Sequence, residues 1–297
     1  MSRRKDRQDD TRAPKDIGLR LRHGEPADCG LCGAYGPLTR THLPPQCAGN
    51  NHGVQRSYLQ SADTEGLPRI IASRKQYQGG LYVFGLCAQC NSNAGRWDAA
   101  YGELASALRP CWATGGVAVP GGRITVPSVH FGPSAVVRSV LMGMFGVNRG
   151  LRGRYPTLAQ GLLDGAKPLA LPPDVALRVA LAGGQTGRLT GAVHMTQVLG
   201  PTPTGGQLRL LSDASVYFPP LAWQLAGAGS TLLDEQGWGD ATSWLSTPIS
   251  DTANLYTLCR SLPVVHDPSH DPDIADKIVQ LFAHELSPIV ECRGLTP

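Results

Sequence analysis

The sequence predicts an α+β protein with a small cysteine-stapled N-terminal module and a larger C-terminal region built on an antiparallel sheet. Two Cys-x-x-Cys pairs enclose a strand pattern and are followed by a helical pattern. Farther along, apolar segments are separated by Gly- and Pro-rich turns, which is typical of antiparallel strands. Hydrophobic residues fill 41% of the 297 positions, which is enough for a buried core.

The charged residues are unevenly distributed along the chain. Residues 1–110 contain 15 Lys/Arg and 10 Asp/Glu, whereas residues 111–297 contain 12 and 13. A basic first third indicates a polyanionic partner for that part. Of the 27 basic residues only 5 are Lys, an Arg bias that suggests a GC-rich coding genome and hence a bacterial source.

Apolar runs and cysteine usage indicate the cellular compartment. The longest apolar run, residues 135–147, is too short to cross a bilayer and contains Arg138. No apolar stretch follows the basic residues at the N-terminus, so we expect no signal peptide. We therefore expect a cytoplasmic protein with no membrane partner, in which eight cysteines are metal ligands or buried thiols.

Three units are predicted along the chain. Residues 1–23 mix charges of both signs and have almost no apolar side chains, which predicts a disordered tail. Residues 24–110 form the cysteine-stapled domain. Residues 111–297 form a separate α+β domain that resembles no family we recognise.

Within residues 24–110, the order is strand, loop, strand, helix. Strands are predicted over residues 36–42 and 81–86, with a long polar loop over 46–68. A helix is expected from Asn91, because apolar residues then recur every three or four positions. The Arg109–Pro110 dipeptide predicts the end of that helix.

The C-terminal region shows strands flanked by helices. Its expected elements are a strand over 123–131, a helix capped by Ser134 that runs to Phe145, a meander of strands over 175–182, 189–199 and 207–211, and a last helix over 272–290. Trp223, Trp238 and Trp244 are expected to fill the core.

The two cysteine pairs, Cys29–Cys32 and Cys87–Cys90, carry the clearest chemical signal. Each Cys-x-x-Cys turn directs two thiolates at one point, and two turns supply the tetrahedral set of soft ligands that structural Zn²⁺ requires. A site closed by four thiolates has no open position for catalysis. The zinc ion would stabilise the fold of a segment whose hydrophobic core is small. Two independent redox turns are the alternative, although no thioredoxin-like strand–CxxC–helix pattern surrounds the first pair.

A histidine lies between the two pairs, and an asparagine follows the second. His42 belongs to the segment Thr-His-Leu-Pro-Pro, and Asn91 completes the segment Cys-Ala-Gln-Cys-Asn. The pattern CxxCG, then His-Leu-Pro, then CxxCN and a helix resembles the zinc-stapled branch of the HNH endonucleases, which have the ββα-metal fold. The resemblance covers about residues 26–108.

This resemblance implies a function for both residues. His42 would be the general base that takes a proton from the attacking water. Asn91 would be a ligand of a catalytic Mg²⁺ or Mn²⁺ ion that binds the scissile phosphate. The substrate would be a nucleic acid, with DNA as the expected target, cut to a 5′-phosphate and a 3′-hydroxyl. Arg40 and Arg96 lie close enough in sequence to contact phosphate.

Two positions depart from the family pattern. Thr41 stands where the family has Asp or a second His as metal ligand, and residues 81–83 lack the family's middle Asn. The candidates for a replacement ligand are Asp63, Glu65, Asn93 and Asp98. The alternative function is a catalytically degenerate zinc module that binds nucleic acid or a protein partner. A third is a structural accessory protein whose C-terminal region carries the function.

Overall fold

A computed structural model describes most of the chain, namely residues 24–60, 69–115, 122–165, 167–191, 193–198, 207–227, 237–266, 278–281 and 289–296. The protein is of mixed α+β type with largely antiparallel sheets, as predicted. The predicted tail, residues 1–23, lies outside the described residues. Across the described ranges, no helix combines the length and apolar character needed to span a bilayer.

Three antiparallel strands and a helix surround the cysteine pairs. The strands β1 (Pro26–Asp28), β2 (Tyr35–His42) and β5 (Tyr82–Cys87) form one small sheet in the order β1-β2-β5. Helix α1 (Ala88–Gly115) starts directly after β5. Both predicted strands are therefore confirmed, and the predicted helix is longer than expected at both ends.

The segment predicted as a polar loop contains regular structure. A short 3₁₀ helix (Gln46–Ala48) is followed by β3 (Val54–Gln60), which pairs with β4 (Arg69–Tyr77). The loop prediction is wrong over these residues, whereas residues 61–68 lie outside the described part. The reason is tertiary, because β3 also pairs with β18 (Ile289–Arg293) near the C-terminus, and pairing on both edges outweighs a polar composition.

Helix α1 continues through Pro110, where the sequence predicts its end. An internal proline costs a helix about 3 kcal/mol. Packing offsets this cost here, because Cys111 and Trp112 are buried just beyond the proline. The Trp112 indole also donates a hydrogen bond to the Gly184 carbonyl oxygen at 2.8 Å.

The C-terminal region contains short helices and many strands. The α-helices are α2 (Pro133–Val147), α3 (Gly150–Arg154), α4 (Pro156–Asp164) and α5 (Leu255–Leu258), with a 3₁₀ helix over Thr242–Ser246. The remaining strands are β6 (Arg123–Thr125), β7 (His130–Phe131), β8 (Val175–Ala182), β9 (Thr186–Thr190), β10 (Val193–Val198), β11 (Gln207–Ser212), β12 (Ala214–Phe218), β13 (Leu221–Gly227), β14 (Gly239–Asp240), β15 (Ala253–Asn254), β16 (Ser261–Val265) and β17 (Ile278–Leu281). Helix α2 confirms a prediction, although Gly132 rather than Ser134 precedes its first turn.

The large sheet is not the predicted meander. Its strand order is β4-β3-β18-β9-β12-β13-β8-β16-β6, with β14 also pairing with β8. Strands β8 and β9 are separated by the β12–β13 hairpin, so only β10 and β11 of the predicted meander are neighbours. A buried central strand needs partners on both edges, and the hairpin supplies one to each of β8 and β9.

The predicted last helix, 272–290, is wrong where the chain is described. Residues 278–281 form β17, which pairs with β10, and Ile289 begins β18. Short apolar runs suit a strand and a helix equally, and available strand partners decide between them. Residues 271–277 and 282–288 lie outside the described part.

The core joins the helices to one face of the large sheet. Helix α2 is buried along nearly its whole length and packs against α1 and β5. An aromatic cluster connects α1 to the sheet, since the Trp223 ring lies 6.3 Å from Tyr101 and 6.0 Å from Trp244 between ring centroids. The three tryptophans predicted for the core, Trp223, Trp238 and Trp244, are all buried, which confirms that prediction.

The division at residue 110 between two domains stays a prediction. Helix α1 passes through this position, and the β3–β4 hairpin of the N-terminal segment pairs with β18 of the C-terminal segment. Helix α1 and the β3–β18 pairing therefore connect the two segments.

Candidate metal centre and catalytic site

The four predicted zinc ligands lie together. The sulfur atoms of Cys29, Cys32, Cys87 and Cys90 all lie within 4.8 Å of one another. The first pair comes from the turn between β1 and β2. The second pair comes from the end of β5 and the first turn of α1. Within the described ranges, no other group of three or more His, Cys, Asp or Glu side chains is placed to share an ion.

Backbone hydrogen bonds hold the first cysteine turn in place. The Cys29 carbonyl oxygen accepts from the Gly33 amide at 2.9 Å, and Gly33 adopts a positive φ of 77° that favours glycine. The Gly30 amide donates to the Gly85 carbonyl oxygen at 2.8 Å. Gly85 is the extra residue of β5 where the register with β2 shifts, so this bulge ties the turn to the strand.

The thiols influence one another strongly. The hydrogen bond from Cys90 lowers the pKa of Cys29 to about 4, even though burial opposes this shift. The same hydrogen bond, together with burial, raises the pKa of Cys90. One thiolate is thus stabilised by neighbouring thiols, and a cation that replaces the shared protons would hold all four sulfurs as thiolates.

These residues fit a zinc ion. Four cysteine sulfurs are the donor set of closed structural zinc sites, and their mutual separations match ligands around one centre. The amide of Cys87 also donates to the sulfur of Cys29 at 3.4 Å, as expected for a backbone group that supports a thiolate. The cluster could therefore bind one Zn²⁺ ion.

His42 and Thr41 point to opposite faces of β2. His42 pairs with Tyr82 of β5, and their rings lie 5.4 Å apart between centroids. Arg40 shares this face, with its guanidinium 5.1 Å from the centre of the Tyr82 ring. Because side chains alternate along a strand, Thr41 faces the other way, toward α2.

The ring of His42 has a defined tautomer. Its Nε2 atom lies 2.9 Å from the Gly79 carbonyl oxygen. A carbonyl oxygen only accepts, so Nε2 carries the proton and Nδ1 keeps its lone pair in the neutral ring. Burial lowers the pKa of His42, and this effect exceeds the opposing contribution of the hydrogen bond to Gly79. A neutral imidazole of this kind can accept a proton.

Asn91 connects the first turn of α1 to β2. Its side-chain amide donates to the Arg40 carbonyl oxygen at 2.8 Å, two residues before His42 on the same strand. This bond uses the amide nitrogen and leaves Oδ1 available as an oxygen ligand. The predicted site residue Asn91 therefore contacts β2 two positions away from His42, the other predicted site residue.

Thr41 cannot act as a metal ligand on the His42 face. Its side chain is 2% exposed, and its methyl group lies 3.2 Å from the point where a Cβ on Gly146 of α2 would be. Its hydroxyl has no hydrogen-bond partner among the described residues. Residue 41 is thus part of the contact with α2.

The replacement ligands suggested by the sequence are occupied elsewhere or not described. Asp98 accepts a hydrogen bond from Ser139 of α2 at 2.9 Å, and Asn93 accepts one from Gln89 on the same helix. Asp63 and Glu65 lie outside the described residues. Among the described side chains, the predicted donors thus do not form a ready Mg²⁺ or Mn²⁺ site around Asn91.

Comparison with known proteins gives no identification. No protein family model, curated protein or solved structure matches the chain.

Asn50 is a positioning residue that the sequence did not reveal. Its fully buried amide nitrogen donates to the carbonyl oxygens of Pro44 and Leu81, and its oxygen accepts from the Leu81 amide. These bonds fix the segment that follows His42 against the residues that precede β5. Residues 81–83 lack the asparagine of the family pattern, and Asn50 brings an amide to that stretch from a distant part of the chain.

Arg40 and Arg96, the two arginines considered as phosphate contacts, are both exposed. Arg40 lies on the His42 face of β2, and Arg96 lies on α1 with its guanidinium 5.4 Å from the centre of the Trp97 ring. Both side chains are free to meet solvent, as a phosphate contact requires. Sequence spacing alone does not show which way either side chain faces.

Proposed function

We propose that this protein binds zinc at its four clustered cysteines and hydrolyses phosphodiester bonds in nucleic acid, with DNA as the expected substrate. The observation that carries the proposal is the neutral His42 ring, held in one tautomer on the strand that Asn91 contacts. The resemblance of the surrounding motif to zinc-stapled HNH endonucleases supports the same function.

In the proposed reaction, His42 acts as the general base. Its Nδ1 atom takes a proton from a water molecule as the water oxygen forms a bond to phosphorus. The bond from phosphorus to the 3′-oxygen breaks, and that oxygen takes a proton from solvent. The exposed guanidiniums of Arg40 and Arg96 would contact the phosphate backbone in this reaction.

A binding module without catalysis is the second candidate. The burial of Thr41 against α2 favours it, because the position that carries the family's metal ligand is taken up by packing. In that case the zinc-stapled module would hold nucleic acid or a protein partner without cutting.

A cleavage assay separates the two candidates. Plasmid DNA is incubated with the protein alone, with Mg²⁺ and with Mn²⁺, beside His42→Ala and the control His130→Ala, whose side chain is exposed on β7. Cleavage by the parent and the control but not by His42→Ala supports the nuclease. DNA binding without cleavage under all conditions supports the binding module. Equal cleavage by parent and His42→Ala contradicts the assigned base.

A further inference from the structure

We propose that Arg149 and Arg152 neutralise the negative charge of the zinc–thiolate cluster, so that the C-terminal region completes the metal centre. This inference rests on the zinc part of the proposed function and is independent of nuclease activity. The ligand chemistry is a divalent cation held by four thiolates, and the two arginines act on it through their charge rather than as ligands.

A zinc ion with four thiolates carries more negative than positive charge. Asp28 stands next to Cys29 in sequence and adds a further carboxylate to this region. Excess negative charge in a partly buried site requires nearby cations or hydrogen-bond donors. The Cys87 amide, 3.4 Å from the Cys29 sulfur, is a neutral donor and supplies no formal charge.

Arg152 of α3 lies directly over the first cysteine turn. The guanidinium carbon and one terminal nitrogen of Arg152 lie 2.6 Å from the point where a Cβ on Gly33 would be. Gly33 immediately follows Cys32, and only a residue without a side chain leaves this space to the guanidinium. The glycine therefore has two roles, since it also adopts the positive φ of the turn.

Arg149 approaches the same turn from the start of α3. It is partly buried, and its guanidinium interacts electrostatically with Asp28 and Cys29. A partly buried guanidinium is stable when acidic groups lie nearby. Asp28 directly precedes Cys29, which is the first cysteine of the first pair.

The packing of α2 explains how these arginines reach the cluster. A Cβ on Gly30 would clash with the Phe145 carbonyl oxygen, and one on Gly85 would clash with the Gly146 carbonyl oxygen. The last turn of α2 thus contacts the backbone of the cysteine turn and of β5 directly. Asn148 then fixes the start of α3, because its Oδ1 accepts from the Gly150 amide at 3.0 Å and its Nδ2 donates to the Asp213 carbonyl oxygen at 2.7 Å.

Zinc affinity, measured by competition with a chromogenic chelator, tests this inference on the full chain. The variants are Arg149→Gln, Arg152→Gln and the double variant. Arg260→Gln is the control, because it removes one exposed charge on the segment between α5 and β16. Loss of a residue that supports metal ligands lowers metal affinity about 10- to 100-fold, so we expect a loss in this range for the double variant and about none for the control.

Two further measurements separate charge from packing. Arg149→Lys and Arg152→Lys keep the charge and are expected to retain most of the affinity lost in the Gln variants. In the Co²⁺-substituted protein, the thiolate-to-metal charge-transfer band is expected to shift in the double Gln variant and not in Arg260→Gln. If the double variant prevents folding, the two single variants carry the comparison.

The outcomes are distinct. Parent zinc binding with affinity losses in the Gln variants and rescue by Lys supports the inference. Parent zinc binding with unchanged affinity in all Gln variants overturns it and leaves the zinc site intact. No zinc binding by the parent overturns the zinc proposal, and this inference with it.

Discussion

At the residue scale, the neighbours Thr41 and His42 have different surroundings because they occupy opposite faces of β2. His42 meets Tyr82 and the Gly79 carbonyl oxygen, whereas Thr41 is buried against α2. A strand alternates its side chains, so a metal ligand at position 41 would need a different local backbone to reach the His42 face.

Replacing Thr41 by Asp therefore should not create a metal site. The carboxylate would be buried against α2 without a cation, and the expected loss of unfolding free energy is about 3 kcal/mol. Thr41→Val is the control, because it keeps the shape and removes a hydroxyl that lacks a partner among the described residues. Chemical denaturation measures the free energy of unfolding of both variants. Increased Mg²⁺-dependent cleavage with retained stability in Thr41→Asp would contradict the assigned orientation.

The lowered pKa of His42 predicts a pH dependence of stability. Burial favours the neutral ring in the folded state, so its pKa there lies below the unfolded value of about 6.5. The contribution of the neutral ring is present above the unfolded pKa and is lost as pH falls through the folded pKa. We expect the thermal midpoint to fall between pH 7 and pH 5, and to fall less in His42→Gln than in His130→Gln. Equal falls in both variants would argue against a perturbed His42.

The cysteine ligands were predictable from the sequence because their spacing is local and diagnostic. The supporting residues were not. Asn50 acts on Leu81, 31 positions away, and Arg152 reaches Gly33 from a different region of the fold. Nothing in the sequence around Asn50 or Arg152 indicates a contact with a residue so far away along the chain.

At the element scale, glycine residues allow α2 to approach the small sheet. Gly85 of β5 and Gly146 of α2 touch through their backbones, and the Leu86 and Thr41 side chains fill the space beside Gly146. Such an approach leaves no room for a methyl group, so the small sheet and α2 are fitted to each other.

Gly85→Ala is expected to destabilise the protein by about 3 kcal/mol, because the new methyl group would overlap the backbone of Gly146. Gly36→Ala on β2 is the matched control, since a Cβ there has no atom within 4 Å. Thermal unfolding of the zinc-loaded protein compares the stabilities of the two variants. A similar small effect from both substitutions would show that α2 does not contact β5 as described.

The opposite face of the large sheet carries buried polar residues in register. Thr190 pairs with Ser215, and Ser215 pairs with Gln224 on the next strand. All three are buried, and the two hydroxyls and the Gln224 carbonyl oxygen have no hydrogen-bond partner among the described residues. Unmatched polar groups of this kind reduce stability.

Thr190→Val removes one such hydroxyl while keeping the side-chain shape. We expect the unfolding free energy to stay the same or to rise by about 1 kcal/mol. Urea denaturation of the parent and the variant provides the comparison. A loss of more than about 1 kcal/mol would show that the hydroxyl forms a hydrogen bond that matters for stability.

At the scale of the whole molecule, local patterns predicted the strands and helices beside the cysteines better than the large sheet. The β2, β5 and α1 predictions depended on motifs and periodicity within a few dozen residues. The positions of β3, β9 and β18 depend on partners far along the chain, with β18 pairing with both β3 and β9. Period and composition do not specify which strand pairs with which, and this is why the meander and the last helix were wrong.

The four-cysteine cluster brings together segments that are far apart in the sequence. Its cysteines come from the turn before β2 and from the β5–α1 junction, and α2 and α3 pack against that turn. Loss of zinc is therefore expected to affect more than the N-terminal module.

Native mass spectrometry of the full chain tests the central claim most directly. The parent and Cys47→Ser, whose cysteine is exposed and outside the cluster, are expected to carry one zinc ion per chain. Cys87→Ser is expected to lose that zinc. Zinc-free parent protein after expression with zinc, or zinc retained at one ion per chain by Cys87→Ser, would contradict a structural centre built from the four cysteines.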